Sequence, residues 1–221
     1  MTQIRKPEIE LRIVAAARRV FADLGFAATS IAAIAAAAAV STGNVYRYFA
    51  GKDALFAAAV PATVARDLRV LIRRRTGAVR GVADLDALGP DSRYRLVSAE
   101  LLQFCVAHRL EVVIMLGRAA GTPFDGLAEQ MVRDLVRQVI GHGASLRPPV
   151  VVGPTTRFVL EQLYRGFVAA MVAVLVRYDR EADIGAAVDR YAAYHLTGLA
   201  RILATEPAPA HTQAHAKERR S

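Results

Sequence analysis

The apolar positions near the start of the chain recur with the spacing of three amphipathic helices. After Pro7 they repeat at three- and four-residue steps until Gly25, which predicts a first helix with one buried stripe. The segment "SIAAIAAA" predicts a second helix whose Ile31 and Ile34 face inward. A third short helix is expected over 42–48. The stripe of the first helix consists of Ile9, Ile13, Ala17, Val20, Phe21 and Leu24.

The polar residues around these helices predict a helix-turn-helix. Ser30 and Ser41 stand just before the second and third helices, where a side-chain oxygen can cap a helix N-terminus. Val45 and Phe49 lie four residues apart and are expected to face inward, with Tyr46 towards one edge. Two short helices joined by a tight turn, the second presenting polar side chains, describe this unit. The side chains expected to face outward are Thr42, Asn44, Arg47 and Tyr48.

The remaining sequence predicts further helices and no strands. A fourth helix is expected from Lys52 to the arginine triplet 73–75, with Pro61 as a kink. The stretch 77–92 reads as a linker or irregular loop. Together these patterns predict an all-α fold of about nine helices. The later helices are expected at 91–109, 111–120, 123–142, 154–178 and 184–205.

Positive charge is concentrated at the N-terminal end. Of a formal net charge of +9, residues 1–80 carry 13 Lys and Arg against 5 Asp and Glu, or +8. Residues 81–205 carry 13 of each sign, and residues 206–221 carry 3 basic against 2 acidic side chains. This asymmetry fits a polyanion-binding end joined to a neutral body, because clustered Lys and Arg release counterions from phosphates. A solvated basic surface is the alternative.

Other features favour a cytoplasmic protein without cofactor, metal or enzymatic activity. The single cysteine, Cys105, cannot form an internal disulfide, and the N-terminal residues lack the apolar segment of a signal peptide. The longest apolar run, 166–176, is shorter than the roughly 20 residues of a membrane span, so we expect a buried helix there. No Cys/His cluster has metal spacing, and no set of nucleophile, base and orienting residue is evident.

The segment "FADLGFAATSIAAIAAAAAVSTGNVYRYFAGKDAL", residues 21–55, closely resembles the N-terminal DNA-binding domain of the tetracycline-repressor (TetR) family. The family pattern, from its aromatic-x-x-x-G start to Y-x-[YH]-F-x-x-K-x-x-L, is matched without a gap. One residue departs from it, since Ala39 stands where the family usually has glycine. If that position requires a positive φ, alanine would cost about 1 kcal/mol in strain.

The resemblance implies that the helix 42–48 enters the major groove of DNA. Thr42 and Asn44, near its start, would then influence sequence preference, and Gly43 would let the backbone approach the groove wall. The other candidates would contact phosphates or bases. The candidate DNA-binding residues are Ser30, Ser41, Thr42, Gly43, Asn44, Tyr46, Arg47, Tyr48 and Lys52.

Several of these candidates have an alternative role. Ser41 is expected to cap the third helix rather than to contact DNA. Tyr46 could pack between helices, and Lys52 could be a solvated charge at the start of a helix. For Tyr46, Tyr48 and Lys52 we favour phosphate contact, because the sequence presents them together.

The resemblance also implies two domains, a helix-turn-helix DNA-binding domain at 1–52 and a larger helical effector-binding and dimerisation domain at 53–205. The tail at 206–221 has no apolar periodicity and is predicted to be disordered. The expected partners are a pseudo-palindromic double-stranded operator, a second copy of the chain and a small-molecule effector, but no membrane. Two copies would present their helices about 34–36 Å, or a multiple of this, apart.

Two sets of residues in the body are candidates for these roles. The alternative for both is an ordinary monomeric core. The expected effector pocket consists of Phe104, His108, Met115, Phe124, Tyr164, Phe167 and Met171. The expected dimer interface, on the last two helices, consists of Val159, Leu163, Val172, Leu175, Tyr191, His195, Leu199 and Ile202.

The function that these features predict is a sequence-specific transcriptional regulator. A homodimeric repressor, released from its operator by a small apolar or amphipathic effector, fits best. An activator, or a regulator without an effector, is the alternative within this class. Two other classes are a basic protein that binds DNA or membrane surfaces without sequence preference, and a helical enzyme.

Overall fold

Ten α-helices and no strand make up the part of the chain that the structure describes. The computed structural model describes residues 6–79, 82, 89, 91–146 and 149–206. The predicted all-α class is confirmed. The helices are α1 (Pro7–Leu24), α2 (Ile31–Ala37), α3 (Thr42–Tyr48), α4 (Lys52–Ala59), α5 (Ala62–Gly77), α6 (Arg93–Ala107), α7 (Arg109–Gly117), α8 (Leu127–Ser145), α9 (Pro154–Arg177) and α10 (Glu181–Ala204).

α1 forms where the sequence predicts it. Pro7 occupies the first turn, where its missing N–H costs no hydrogen bond. Ile13, Ala17 and Phe21 follow at four-residue steps and are fully buried, so one stripe of the helix faces the core. Gly25 ends the helix with φ 79°, and its N–H donates to the Phe21 carbonyl at 2.9 Å. A left-handed residue of this kind suits glycine, which has no Cβ to clash.

The fourth predicted helix is in fact two helices, α4 and α5. Val60 leaves the helical region with φ −129° and ψ 79°, and Pro61 precedes α5 with φ −62° and ψ 138°. A proline disfavours helical geometry in the residue before it and cannot donate a backbone hydrogen bond. Pro61 therefore breaks the helix instead of kinking it, which accounts for one helix more than expected.

Smaller differences concern the later helices. α8 begins at Leu127 rather than at Pro123, because Gly126 adopts a left-handed φ of 78° and the Thr122 hydroxyl accepts from the Phe124 N–H within a turn. α10 begins at Glu181, a few residues earlier than predicted. Most of the predicted linker 77–92 and of the predicted tail 206–221 lies outside the described residues.

The N-terminal helices rest on the body through α7. α1 packs against α2 and α4, and also against α7, which in turn packs against α8 and α9. Residues 112–115 of α7 are buried without exception, and each such side chain stabilises the fold by about 1.5–3 kcal/mol. Phe56 of α4 contacts Phe21, Phe26 and Phe124, with ring centroids 5.1–6.1 Å apart. The two parts thus share one apolar core.

Candidate DNA-binding surface and body cavity

Serine caps hold the two short helices of the helix-turn-helix. The Ser30 hydroxyl accepts from the Ala33 N–H at 3.1 Å, and the Ser41 hydroxyl accepts from the Asn44 N–H at 3.2 Å. Each cap stabilises its helix by about 1 kcal/mol, which matters for helices of seven residues. The expected capping role of Ser41 is confirmed, and Ser30 has the same role.

The turn between α2 and α3 contains a strained alanine. Ala39 adopts φ 51° and is the one non-glycine residue with a positive φ among those described. The Val40 N–H donates to the Ala35 carbonyl at 3.0 Å, so the turn closes in spite of the strain. An L-residue pays about 1–2 kcal/mol in this region. The position therefore has the geometry for which the TetR pattern uses glycine.

α3 presents its N-terminal half to solvent. Thr42 and Gly43 are exposed, Asn44 is half-buried, and Tyr46 is 58% exposed. A Cβ added at Gly43 would meet only the Ser41 hydroxyl oxygen, at 4.0 Å. Because nothing inside the protein requires glycine there, any need for it must come from outside. The exposure of Tyr46 argues against its alternative role of packing between helices.

Tyr48 does not face outward, and this prediction is wrong. Its side chain is 6% exposed and lies against the chain just before α1. The Tyr48 hydroxyl accepts from the Lys6 N–H at 3.0 Å and lies 3.4 Å from the Lys6 carbonyl. Val45 and Phe49 are buried as expected, and burial of Tyr48 beside them widens the inward face of α3. Tyr48 therefore ties α3 to the start of α1.

Arg47 and Lys52 both have partners within the protein. Arg47 is half-buried, and its guanidinium lies 5.2 Å from the centre of the Tyr48 ring. The Lys52 ammonium donates to the Phe26 carbonyl at 2.9 Å and the Thr29 carbonyl at 3.0 Å, and lies over the Phe26 ring. Lys52 is thus not simply a solvated charge. Two of its three N–H groups hold the α1–α2 connection, which leaves at most one for a phosphate.

An ion pair joins the N-terminal helices to the body. The Arg18 Nε of α1 lies 3.2 Å from the Glu111 carboxylate of α7 and also donates to the Ala59 carbonyl of α4 at 3.0 Å. Glu111 is buried, and His108 Nδ1 lies 3.7 Å from the same carboxylate oxygen. A buried carboxylate needs such partners, because its desolvation is otherwise costly. Three helices meet at this pair.

A cavity of about 670 Å³ lies in the body between α5, α6, α7, α8, α9 and α10. Phe167 and Met171 line it as predicted, together with Cys105. Burial raises the pKa of the Cys105 thiol to about 12, so this cysteine is a small apolar group in the wall. Much of the remaining wall is aliphatic, including Leu68, Ile72, Leu101, Leu102, Val112, Leu116, Leu135, Val168, Val172, Leu175, Ile184, Val188 and Leu196.

Five residues predicted for the pocket do not line this cavity. Met115 and Tyr164 are buried in the core, and burial raises the pKa of the Tyr164 phenol. Phe124 packs against Phe56, 6.1 Å between ring centroids, at the joint with the N-terminal helices. The rings of Phe104 and His108 are tilted against each other with centroids 4.6 Å apart, and His108 lies near the Glu111 carboxylate. Helical spacing did not distinguish the cavity wall from the ordinary core beside it.

Sequence reasoning missed the polar end of the cavity. Arg75 donates to the Tyr94 hydroxyl at 2.5 Å and to the Ser98 hydroxyl at 3.0 Å, and all three residues line the cavity. The available signal was the arginine triplet 73–75. Successive residues of a helix point about 100° apart, so three consecutive arginines on a packed helix cannot all face solvent.

The predicted dimer interface is only partly on the surface. Leu175, His195 and Leu199 are buried within the single chain and expose little surface, and their place in a dimer interface stays a prediction. Val159 is exposed, and Leu163, Val172, Tyr191 and Ile202 are half-buried. The large apolar residues that α9 and α10 do expose are Phe158, Val159, Val176 and Tyr194.

Exposed small residues accompany these side chains. Gly166, Ala169 and Ala173 of α9 and Ala193 and Gly198 of α10 are exposed. With Phe158, Val159, Val176 and Tyr194 they form what we call the α9–α10 face. By length and composition alone, α9 could cross a membrane, and 22% of its most apolar stretch is buried. The expected burial of this helix is therefore not achieved inside one chain.

Comparison with known proteins agrees with this architecture. Residues 13–59 match the family model described as bacterial regulatory proteins of the tetR family, a family of transcription regulators. The chain is similar to a TetR-like transcriptional regulator from Rhodococcus sp. RHA1, with 27% identity and a TM-score of 0.50 over 90% of this chain and 99% of that one. It is also similar to a TetR-family regulator from Streptomyces coelicolor, with 21% identity and a TM-score of 0.40 over 97% of each chain. No curated protein matches the sequence.

Proposed function

We propose, on the premise that the chain has the fold of TetR-family transcriptional regulators, that it is a homodimeric repressor. Two copies bind a pseudo-palindromic operator in the cytoplasm and leave it when a small apolar or amphipathic molecule occupies the body. The observation that carries the proposal is the N-terminal half of α3, where Thr42, Gly43 and Tyr46 are exposed to solvent.

DNA recognition is assigned to the exposed half of α3. Thr42 and Asn44 read base edges in the major groove, and an Asn amide pairs bidentately with adenine. Gly43 allows close approach of the backbone, and Tyr46 contacts a phosphate or a thymine methyl group. Arg47 adds a positive charge at the edge of this surface.

The remaining candidates position this surface. Ser30 and Ser41 cap α2 and α3, and Tyr48 anchors α3 on the start of α1. Lys52 holds the α1–α2 connection and contributes at most one N–H to a phosphate. The basic end that carries all these residues, at +8 over 1–80, provides the attraction that DNA binding needs whatever the sequence.

The α9–α10 face is assigned to the dimer interface. Its small residues allow two helices to approach closely, and its large apolar side chains would otherwise be exposed to water. A bilayer is the less suitable partner, because Arg165 lies midway along α9 and forms an ion pair with Glu129 at 3.0 Å. A second copy of the chain buries this face and places two α3 helices on one operator.

The cavity is assigned to the effector. Its volume of about 670 Å³ is that of a typical site for a drug-sized molecule. α5, which lines the cavity through Leu68, Ile72 and Arg75, is connected to α4 of the DNA-binding end through Pro61. A ligand that binds one arrangement of these helices better than the other shifts the protein between DNA-binding and released states.

The test is binding to DNA at matched salt. The fragment just upstream of the coding region, or a site obtained by selection from random sequences, is compared with random DNA of equal length. We expect a footprint of two related half-sites, and Asn44→Ala should lower affinity by about 1–3 kcal/mol at one operator position only.

Gln103→Ala, which removes an exposed amide on α6, serves as the matched control and should bind like the wild type. Failure of the selection to yield any motif would overturn the proposed sequence-specific function. An Asn44→Ala variant that weakens operator and random DNA equally would overturn the role of Asn44.

A further inference from the structure

We propose that the cavity selects an amphipathic anion, namely a molecule with an apolar body and one carboxylate that the Arg75 guanidinium binds. This inference rests on the effector response proposed above and adds the chemical class of the ligand. It follows from the orientation of one arginine, from its partners and from the charge of the wall around it.

Only one arginine of the triplet 73–75 is directed into the body. Arg73 is exposed, and Arg74 is exposed and paired with Glu100 at 2.7 Å. Arg75 is half-buried and lines the cavity. Arginine is among the residues least often placed in an interior, so its position in a largely aliphatic wall requires an explanation.

The partners of Arg75 are neutral. Its guanidinium donates to the hydroxyls of Tyr94 and Ser98 and lies 4.8 Å from the centre of the Tyr94 ring. Across the described ranges, no carboxylate lies within 4.0 Å of its nitrogens. Burying a cation without a counter-ion is costly, whereas a planar carboxylate matches the two-pronged geometry of a guanidinium. A bound anion would supply the missing charge.

The charges and the histidine around the cavity agree with this choice. The charged residues of the wall are Arg75, Arg95 and Asp189, which leaves a net charge of +1. The His195 and Phe167 rings are tilted against each other with centroids 4.6 Å apart, and the buried Nε2 of His195 has no hydrogen-bond partner among the described residues. Burial, and then the charge of Arg75, lower the pKa of His195 to about 4, so the imidazole is neutral near pH 7. The cavity wall is therefore net positive, and the neighbouring histidine adds no charge near pH 7.

The aliphatic part of the cavity wall determines the apolar part of the ligand. Aliphatic side chains of α5, α6, α9 and α10 surround the space, with Phe167 as an aromatic contact. A volume of about 670 Å³ admits a chain of a dozen carbons or a fused ring system. Fatty acids and aromatic acids share the required chemistry, and the experiment is designed to separate them.

Calorimetric titration of the full-length protein with matched probes provides the test. Dodecanoate, dodecan-1-ol and dodecylammonium share one apolar chain and differ in the charge of the head group, and naphthalene-2-carboxylate changes the apolar part. All are used below their critical micelle concentrations. We expect at least one acid to bind, and dodecanoate to bind about tenfold or more tightly than dodecan-1-ol, with dodecylammonium weakest. The relative affinity of the two acids tells an aliphatic from an aromatic ligand.

Variants assign the preference to Arg75. Arg75→Met keeps much of the side-chain volume and should make dodecanoate bind no better than dodecan-1-ol. Arg73→Met, on the same helix but exposed, should preserve the preference, and Arg75→Lys should preserve part of it. The lysine variant keeps the charge, so it tests the assignment if Arg75→Met does not fold.

The outcomes separate this proposal from the function on which it rests. Equal or tighter binding of the alcohol, binding of none of the probes, or an unchanged preference in Arg75→Met would overturn the anion site, whatever the protein does on DNA. Binding of the acids by a protein that shows no operator preference would support the site and overturn the proposed repressor. Release of the operator by the preferred acid, with no effect of the alcohol at equal concentration, would support both.

Discussion

The helix-turn-helix end and the body use polar side chains in opposite ways. On α3, Thr42 and Tyr46 are exposed to solvent. In the body, Arg75 and His195 are drawn inward, and Glu111 lies buried where the two parts meet. The first arrangement suits a partner that comes to the surface, and the second suits a ligand that enters the protein or a contact that transmits its effect.

The joint between the two regions gives the largest expected effect. Glu111→Ala removes the buried carboxylate that faces Arg18 and should lower the free energy of unfolding by about 3 kcal/mol, because half of a buried pair is left behind. The control is Glu161→Ala, which removes the more exposed i,i+4 pair with Arg157 and should cost less than about 0.5 kcal/mol. Urea unfolding at one fixed protein concentration measures both. Similar losses of stability in the two variants would show that the Arg18–Glu111 pair stabilises the protein no more than a surface ion pair does.

The buried histidine of the body should make stability depend on pH. Folding lowers the pKa of His195 from its usual 6.5 to about 4. Between these two pH values the unfolded chain binds a proton on this imidazole and the folded protein does not. Stability due to this group is therefore complete above pH 6.5 and falls between about pH 6.5 and 4, by about 3 kcal/mol.

The matching variant is His195→Phe, which retains an aromatic ring beside Tyr164 and Phe167. Unfolding measured from pH 8 to 4 should show a smaller loss in this variant than in the wild type. His142, whose pKa burial also lowers, leaves a residual slope. Parallel curves for the two proteins would contradict the assignment to His195.

At the exposed end, a substitution should affect binding without harming the fold. Gly43→Ala lies in α3 with open space around its Cβ, so it should raise the free energy of unfolding by about 0.5–1 kcal/mol. The same methyl group would meet the DNA and weaken operator binding about tenfold. Gly141→Ala, in α8 with nothing near its Cβ, should give the same stabilisation with unchanged affinity. Equal operator affinity in both variants would argue against close approach at Gly43.

The smallest effect concerns the turn before α3. Ala39→Gly removes the strain of φ 51° but gives the unfolded chain more freedom, so a net stabilisation of about 0.5 kcal/mol is expected. Ala36→Gly, at an exposed helical position of α2, should instead destabilise by about 1 kcal/mol. Thermal unfolding of the two variants should therefore shift in opposite directions. A loss of stability in both would mean that the turn does not favour glycine.

The sequence was most informative where local periodicity and fixed motif spacing act together. The sequence predicted helices α1 to α3, the Ser41 cap and the strain that a positive φ would cause at Ala39. Each of these features depends on neighbours a few residues away. The position of Tyr48 was predicted wrongly, because its hydroxyl accepts from the N–H of Lys6, a residue just before α1 and far away in sequence. The break at Pro61 was predicted only as a kink.

The body could not be predicted at the level of single residues. Met115 and Met171 are both apolar residues at helical spacing, yet one lies in the core and the other lines the cavity. The difference depends on how α6, α9 and α10 pack, which involves residues far apart in sequence. Likewise, His195 and Leu199 belong to an apolar stripe, and only packing decides whether that stripe faces its own chain or a second copy.

Because the helix breaks at Pro61, α5 is separate from α4 and can tilt relative to it. Its 16 residues span about 24 Å, with Arg75 near one end and the link to α4 at the other. A tilt of about 5° at the cavity would move the far end by about 2 Å, and two copies would change the separation of their α3 helices by up to about 4 Å, against a groove spacing of about 34 Å. In the proposed dimeric repressor, a cavity occupant would therefore need to tilt α5 only slightly to misalign one α3 helix with its groove.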